Sequence, residues 1–247
     1  MQNIYKINKK EKRNEICCDL NDSDKNVIKE ALDLRDRYGG TVDVIGFGPL
    51  SAEDVMKETL TYGIDDAFLI SDPQFADMDV SQVAKIVAAV IKKLDSYDLV
   101  LCGRQAIDGD SAHMASMTSC ALEIPLIAYS DKITEMKDGS VFATCMGDQM
   151  AYKVEAKTPA MILSIREKNK NRFPSVPDIM KTYDGTYKTK ILTNEDLNLS
   201  VTKRKVTQLR KYEVKSSKQQ KLVMIGGKDE EEKAAQILQL LKQKSVI

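Results

Sequence analysis

The 247-residue sequence lacks an excess of charge of either sign. Lysine and arginine total 37, and aspartate and glutamate also total 37. A chain with no net charge has no general attraction for nucleic acid or for an anionic membrane surface. The sequence also lacks an apolar run long enough to cross a bilayer, and its first ten residues lack the hydrophobic core of a signal peptide. These absences predict a cytoplasmic protein with no nucleic-acid partner and no membrane insertion.

Residue patterns typical of metal sites and of acid–base catalysis are also scarce. The five cysteines include no C-x-x-C pair, and their odd number does not suit a disulfide framework. His113 is the only histidine, so a metal centre and a histidine-based catalytic pair both lack their usual residues. No Gly-Lys-Ser/Thr phosphate-binding loop occurs. We therefore expect reduced thiols, no metal and no side-chain catalysis.

Strand and helix patterns alternate over the first half of the chain. Apolar residues recur at helical spacing in several segments, and short apolar runs separate these segments. The predicted order is helix 24–38, strand 42–46, helix 51–63, strand 67–70, helix 79–93, strand 99–103, a helix after Ser111 and strand 125–129. Such a series wraps into a parallel sheet with helices on both faces. The expected fold class is therefore α/β, with a Rossmann-like, doubly wound and mostly parallel sheet.

The pattern changes after Ser130. Residues 141–157 alternate around a turn as a β-hairpin does, and residues 160–165 predict a returning strand. Large apolar residues are few from 166 to 227, so this stretch cannot build a core of its own, whereas 228–244 has the spacing of a helix. The sequence thus predicts a nucleotide-binding α/β domain at 1–165. It predicts a C-terminal arm and helix for subunit and partner contacts at 166–247.

The most informative segment is 99–119, where a strand passes through a polar turn into a helix. An apolar run ends at Gly103, and residues 108–111 supply turn and N-cap chemistry before the helix. Unpaired N–H groups and the dipole at a helix start favour a phosphate by about 0.3 to 1 kcal/mol when exposed. Ligands of open parallel sheets bind at the carboxyl ends of strands, where the 21–24 loop and Phe47 are also expected. The sequence therefore predicts a nucleotide site at this edge.

Residues 103–110, Gly-Arg-Gln-Ala-Ile-Asp-Gly-Asp, resemble the nucleotide-binding segment of electron transfer flavoprotein beta subunits. The resemblance extends to 21–26, 46–49, 62–65, 172–181 and 225–227. It implies a subunit that binds FAD, with AMP as the alternative, beside an electron transfer flavoprotein alpha subunit. It also implies electron transfer between a donor and a partner such as an acyl-CoA dehydrogenase. The sequence of residues 104–110 is similar to that of the FAD-carrying, electron-bifurcating branch of the family.

The resemblance implies cofactor contacts from three loops and the helix that follows. The expected cofactor-binding residues are Asn21, Asp22, Ser23, Asp24, Phe47, Gly103, Gln105, Asp108, Gly109, Asp110, Ser111, Ala112, His113, Met114, Ala115, Ser116, Met117 and Thr118. Alternatives stay open from the residues alone. Asn21 and Asp22 could cap the first helix, and Asp108 and Asp110 could be turn residues or bind ribose hydroxyls. His113 is favoured as a surface or capping residue.

Two departures from the family pattern bear on the function. The family usually has Gln-x-Gly where this chain has His113-Met114-Ala115, and the methyl group of Ala115 is expected to weaken pyrophosphate binding. The family also opens with an apolar strand and a Lys-Gln-Val-Pro-Asp turn, and residues 1–8 resemble neither. One sheet strand is therefore expected to be absent or replaced by another segment. Both departures support an alternative, a redox-silent adenine-nucleotide-binding scaffold subunit.

Residues 172–181 resemble the recognition loop with which these beta subunits dock an acyl-CoA dehydrogenase. The resemblance implies partner contacts from Arg172, Phe173, Val176, Pro177, Ile179 and Met180. An exposed valine between prolines is preorganised for a partner's pocket, although a surface turn before a short helix would have the same composition. Basic residues in 203–221 are expected to be a solvated face or a contact for an acidic partner, because Tyr212 alone is an interleaved aromatic residue.

Overall fold

The computed structural model describes residues 19–76, 78–94, 96–106, 111–165, 172–200 and 224–244. The chain divides into two compact units, residues 1–207 and 208–247. The first contains α1 (Asp22–Tyr38), β1 (Asp43–Phe47), α2 (Glu53–Leu60), β2 (Asp66–Ile70), α3 (Val80–Lys93), β3 (Leu99–Gly103), α4 (Met114–Leu122), β4 (Leu126–Lys137), β5 (Ser140–Met146), β6 (Ala151–Lys157), β7 (Ala160–Ser164), α5 (Val176–Tyr183), β8 (Thr189–Leu192) and α6 (Asn194–Leu197). The second contains α7 (Glu230–Gln243). This order confirms the α/β class.

The strands of the first unit form two sheets. One is all parallel in the order β1-β2-β8, and the other has the order β3-β7-β4-β5-β6. In the second sheet, β3, β7 and the start of β4 are parallel, whereas β4, β5 and β6 form an antiparallel ribbon. The predicted hairpin and returning strand are thus confirmed. The mostly parallel, Rossmann-like arrangement is confirmed as well, but strand pairing divides it into two sheets.

Helices α1 and α3 pack against both sheets. On α1, Leu32 lies in a core cluster with Leu69 of β2, whereas Leu34 lies in a cluster with Ile127 of β4. On α3, Val90 lies in a core cluster with Ile70 of β2, and Ile91 lies in a cluster with Val100 of β3. Within the described residues, β1 pairs only with β2 and β3 only with β7, and both of these edge strands are less buried than their neighbours. Residues 1–18, on which the expectation of an absent strand rests, lie outside the described residues.

Strand β8 is not predicted by the sequence analysis. It pairs in parallel with β2, from Ala67 opposite Thr189 to Ile70 opposite Leu192. Thr189 and Leu192 at its two ends are half-buried and the two residues between them are exposed, and Leu192 packs near Phe75. Edge pairing with β2 therefore stabilises a segment in which only the last two residues form an apolar run. The strand lies within the stretch 166–247 that we expected to form an arm.

Helix starts follow capping chemistry with two exceptions. Asn21 caps α1, Asp79 forms a capping box with Gln82 at α3, and Asp229 caps α7. One exception is α2, which begins at Glu53 without a side-chain cap, because Ser51, the first residue of the predicted helix, lies inside a short 3₁₀ turn that precedes α2. The other exception is the helix after Ser111, which begins at Met114, two residues later than expected. In the part of the chain that the structure describes, no helix combines the length and apolarity needed to cross a membrane.

Candidate functional site

The first turn of α1 lies against the carboxyl end of β3. The Asn21 side chain accepts a hydrogen bond from the Ser23 amide at 3.2 Å and donates one from Nδ2 to the Gln105 carbonyl at 2.9 Å. The carboxylate of Asp24 accepts a hydrogen bond from the Gly103 amide. The interpretation of Asn21 as a helix cap is therefore confirmed, and the same side chain also joins α1 to the loop after β3. These five predicted residues form one cluster, which we call the edge cluster.

Close approach of α1 to β3 depends on the absence of a side chain at Gly103. A Cβ atom at this position would overlap Oδ1 of Asp24 and would lie 3.3 Å from the main-chain carbonyl carbon of Ser23. The carboxylate could rotate away, but the main chain of a capped helix cannot shift so easily. Glycine is therefore required here for contact between helix and strand.

Burial dominates the electrostatics of the edge cluster. It raises the pKa of Asp24 above the usual 3.8, although hydrogen bonds from Gly103 and Asn21 act in the opposite direction. Burial, followed by the nearby charge of Asp24, raises the pKa of the Cys102 thiol to about 12. A thiol that stays protonated at neutral pH is a poor nucleophile. The groups of this cluster are therefore suited to binding and positioning.

Helix α4, which follows β3 along the chain, begins without a side-chain cap. Ala112 has a left-handed φ of 54°, and the exposed side chain of His113 at the N-cap position makes no capping hydrogen bond. The Met117 amide donates to the His113 carbonyl, so the amides of residues 114–116 precede the hydrogen bonds of the helix. Helices α1, α3, α5 and α7 each have a side-chain acceptor at this point. Among the described residues, the start of α4 thus offers N–H donors of the kind that bind phosphate.

The other predicted residues divide between surface and core. Ser111 and Met114 are half-buried, Asp22, Ala112, Ser116 and Met117 are exposed, and Thr118 is buried. Ala115 is buried against Met161 and Leu163. Its methyl group faces the core, so the packing does not support the expected weakening of pyrophosphate binding. Asp108, Gly109 and Asp110 lie outside the described residues.

Phe47 ends β1 and packs into an apolar cluster beside the sheet. Its ring stacks on Phe75 with the centroids 6.1 Å apart, and both residues belong to the cluster around Ile70. The amide of the next residue, Gly48, donates to the Ile70 carbonyl at 3.1 Å. The residues that fix this ring therefore come from β2 and from the turns after β1 and β2, whereas the edge cluster belongs to α1, β3 and the loop after β3.

Helix α5 presents an apolar stripe to solvent. Val176, Ile179, Met180 and Tyr183 have the spacing of one helix face and are 37–72% exposed. Five of the six residues predicted to bind a partner lie in or directly before this helix with exposed side chains, and the sixth, Arg172, is half-buried. The five are Phe173, Val176, Pro177, Ile179 and Met180. The sequence analysis missed Tyr183, although helical spacing from Val176 points to it. Thr182, in contrast, is buried, and its hydroxyl donates within the helix to the Asp178 carbonyl.

Comparison with known proteins identifies the family. A model described as the electron transfer flavoprotein domain matches residues 15–191. The chain belongs to the electron transfer flavoprotein family. Within that family it is a beta subunit, as residues 103–110 indicated, and its general role is electron transfer.

Individual relatives of this beta subunit include electron transfer flavoprotein beta subunits and a subunit of a reductase complex. It is 38% identical over 181 residues to electron transfer flavoprotein subunit beta of Thermoanaerobacterium thermosaccharolyticum, covering 73% of this chain and 68% of the relative. The protein of the same name from Clostridium acetobutylicum is 35% identical over 233 residues, 92% of this chain and 87% of the relative. The caffeyl-CoA reductase-Etf complex subunit CarD of Acetobacterium woodii is 36% identical over 183 residues, 73% of this chain and 68% of the relative.

Proposed function

We propose that this chain forms a heterodimer with an electron transfer flavoprotein alpha subunit and binds FAD between the edge cluster and the start of α4. The uncapped start of α4 carries the proposal, because its first amides are available to a phosphate group. Family membership adds the expectation of flavin-linked electron transfer. A bound flavin would supply the redox chemistry, and the protein would set its position and surroundings.

The residues of the site have separate roles in this proposal. The amides of 114–116 donate to a phosphate oxygen, and Asn21 keeps the start of α1 against the loop after β3. Asp24 supports the site by holding the Gly103 amide, since a carboxylate in direct contact with a phosphate would repel it. No side chain needs to form a covalent bond with the cofactor.

We propose FAD as the nucleotide, with AMP as the alternative, because the sequence of residues 104–110 resembles that of the FAD-carrying branch. The same resemblance extends the proposal to flavin-based electron bifurcation. Bifurcation is a property of the assembled complex, and it requires first that this subunit carries FAD. AMP at the same edge would make the chain part of a simple electron carrier.

We further propose that the stripe on α5 docks a partner dehydrogenase, for example an acyl-CoA dehydrogenase, with Val176 as its anchor. Exposed apolar residues in one row fit a partner groove. Two relatives are named as subunits that serve caffeyl-CoA and acryloyl-CoA reductases. In this proposal residues 1–165 bind the nucleotide in the cytoplasm, and residues 166–247 provide the contacts with the alpha subunit and the partner.

Release of the cofactor from the purified complex tests the proposal. The chain is co-expressed with its alpha subunit, the complex is denatured, and the released nucleotides are separated by chromatography and counted. Two FAD molecules per heterodimer are expected. One FAD with one AMP would assign AMP to this subunit and contradict both FAD binding and bifurcation here.

A redox-silent scaffold that binds an adenine nucleotide is the second candidate function. Among the described residues, β1 and β3 each pair with a strand on one side only. This supports the scaffold function, because a site flanked by unpaired strand edges has less support than one inside a continuous sheet. Recovery of ATP or of no nucleotide from this subunit would support the scaffold. Recovery of a second FAD would exclude it.

A further inference from the structure

An ion pair ties the segment before α5 to helix α1. Nη1 of Arg172 lies 2.8 Å from Oδ2 of Asp36, and both side chains are partly exposed. The two residues are 136 positions apart in sequence, so the pair is a tertiary contact. It joins the start of the docking segment to the last turn of a 17-residue helix.

The neighbouring residue, Arg35, fixes the turn that lies beside α5. Its Nη1 donates to the Gly63 carbonyl at 2.6 Å and lies 3.1 Å from Oδ2 of Asp65. Gly63 has a left-handed φ of 90°, and a Cβ atom there would lie 3.4 Å from Oδ2 of Asp178. The end of α1 thus contacts both the turn next to α5 and the chain that leads into α5.

Helix α5 needs such contacts because it is short. Helices of fewer than about 12 residues are marginal without tertiary packing, and α5 has eight residues. The buried residue of the helix, Thr182, lies in its second half, and the Tyr187 amide donates to the Lys181 carbonyl close to its end. Val176, in contrast, stands at the first position of the helix, next to the segment held by the ion pair.

We propose that Asp36 is a positioning residue for partner docking, which it serves by holding Arg172 and thereby the orientation of Phe173 and Val176. The inference rests on the proposed docking function of α5. It gives Arg172 an intramolecular role in place of the predicted contact with the partner. Helix α1 also carries Asn21 at its other end, so one rigid element about 25 Å long orients both proposed sites.

Charge reversal of each partner and of both together tests the role of Asp36. The complex with its alpha subunit is prepared as wild type, Asp36→Arg, Arg172→Asp and the double reversal. Affinity for a purified acyl-CoA dehydrogenase is measured at about 0.15 M salt, which is the physiological ionic strength. Asp33→Arg is the matched control, because Asp33 lies on the same helix and pairs with Lys29.

Each single reversal should weaken binding about twofold to fivefold, as expected for a partly exposed ion pair, and the double reversal should restore it. Amide hydrogen exchange of residues 173–180 should be faster in the single variants and normal in the double variant, with cofactor content unchanged throughout. Asp33→Arg should affect neither measurement. Additive losses in the double variant, or unchanged exchange in the single variants, would overturn the positioning role.

Val176→Asp separates failure of this inference from failure of the docking proposal. If Val176→Asp weakens binding and the charge reversals do not, the positioning role of Asp36 alone is wrong. If Val176→Asp leaves the affinity unchanged, α5 is not the docking element, and the role of Asp36 in docking is wrong with it.

Discussion

The edge cluster and the docking helix are built in opposite ways. At the edge, polar groups are partly buried and bound to each other, as Asn21 is to Gln105. On α5 and directly before it, the functional groups are apolar and exposed, up to 84% for Phe173. Buried polar groups must find partners for the chain to fold, whereas exposed apolar groups stabilise nothing in the free protein. Substitutions at the edge should therefore change stability and cofactor content together, and those on α5 should change partner binding alone.

Glu30→Leu should have the largest effect on stability. Glu30 lies on α1, between the two sites. The residue is 4% exposed, and its carboxylate accepts hydrogen bonds from the Ile133 amide at 3.1 Å and from Oγ of Ser164 at 2.9 Å. Leucine would leave both donors unsatisfied, which should lower the free energy of unfolding by about 3 kcal/mol. Urea denaturation of the complex measures this loss. Glu30→Gln keeps an acceptor and should cost clearly less, so equal losses for both variants would contradict the hydrogen-bond explanation.

Gly103→Ala comes next and tests whether stability and cofactor content change together at the edge. The new methyl group would meet Asp24 and Ser23, so we expect a loss of about 2 kcal/mol in stability and a lower cofactor content. Gly48→Ala is the control, since its Cβ would make an ordinary contact of 3.4 Å with Ala52. Stability is followed by urea denaturation and cofactor by absorbance after release. A stable Gly103→Ala complex with full cofactor content would break the contrast between the two regions.

Val176→Ala should change partner affinity only. Removal of an apolar anchor from an interface typically costs at least about 1.4 kcal/mol, or tenfold in affinity. Binding of an acyl-CoA dehydrogenase measures the loss, and the urea midpoint and cofactor content should match the wild type. The buried neighbour Thr182 gives the opposite control, because Thr182→Ala should lower stability by removing its hydrogen bond to Asp178.

The sequence predicts elements whose stability comes from their own apolar pattern. Strand β3 has the expected limits, 99–103, because its apolar run ends at a glycine. Strand β8 could not be predicted in this way, since its stability comes from pairing with β2. The start of α4 was placed too early because Ala112 adopts a left-handed φ, which an alanine does not signal.

The candidate sites show the same limit. Resemblance and turn chemistry identified Asn21, Asp24 and Gly103, but the hydrogen bond from Asn21 to Gln105 joins residues 84 positions apart and depends on the fold. The ion pair between Arg172 and Asp36 was not predicted for the same reason. On α5, helical spacing alone could have added Tyr183. Local patterns thus identify the residues of each site, and tertiary contacts decide how they are held.

The smallest expected effect is a difference in pH dependence between a buried acid at the edge and an exposed acid after α5. Burial raises the pKa of Asp24 above 3.8, so ionisation disfavours the folded state, and this penalty grows as the pH rises through the folded pKa. Hydrogen bonds from Thr186 lower the pKa of Asp184 below 3.8, so its stabilisation is present above 3.8 and is lost as the pH falls through the folded pKa.

Asn substitutions at both positions make this difference measurable. Asp24→Asn should gain stability relative to the wild type as the pH rises from about 4 to 7, because asparagine cannot ionise. Asp184→Asn should be less stable than the wild type above 3.8, and the deficit should shrink below that pH. Thermal unfolding midpoints of the wild type and both variants are compared at each pH, so that the titration of all other groups cancels. Curves for Asp24→Asn and the wild type that run parallel across this range would show that the edge cluster does not disfavour the charged carboxylate, and the electrostatic contrast between the two regions would be wrong.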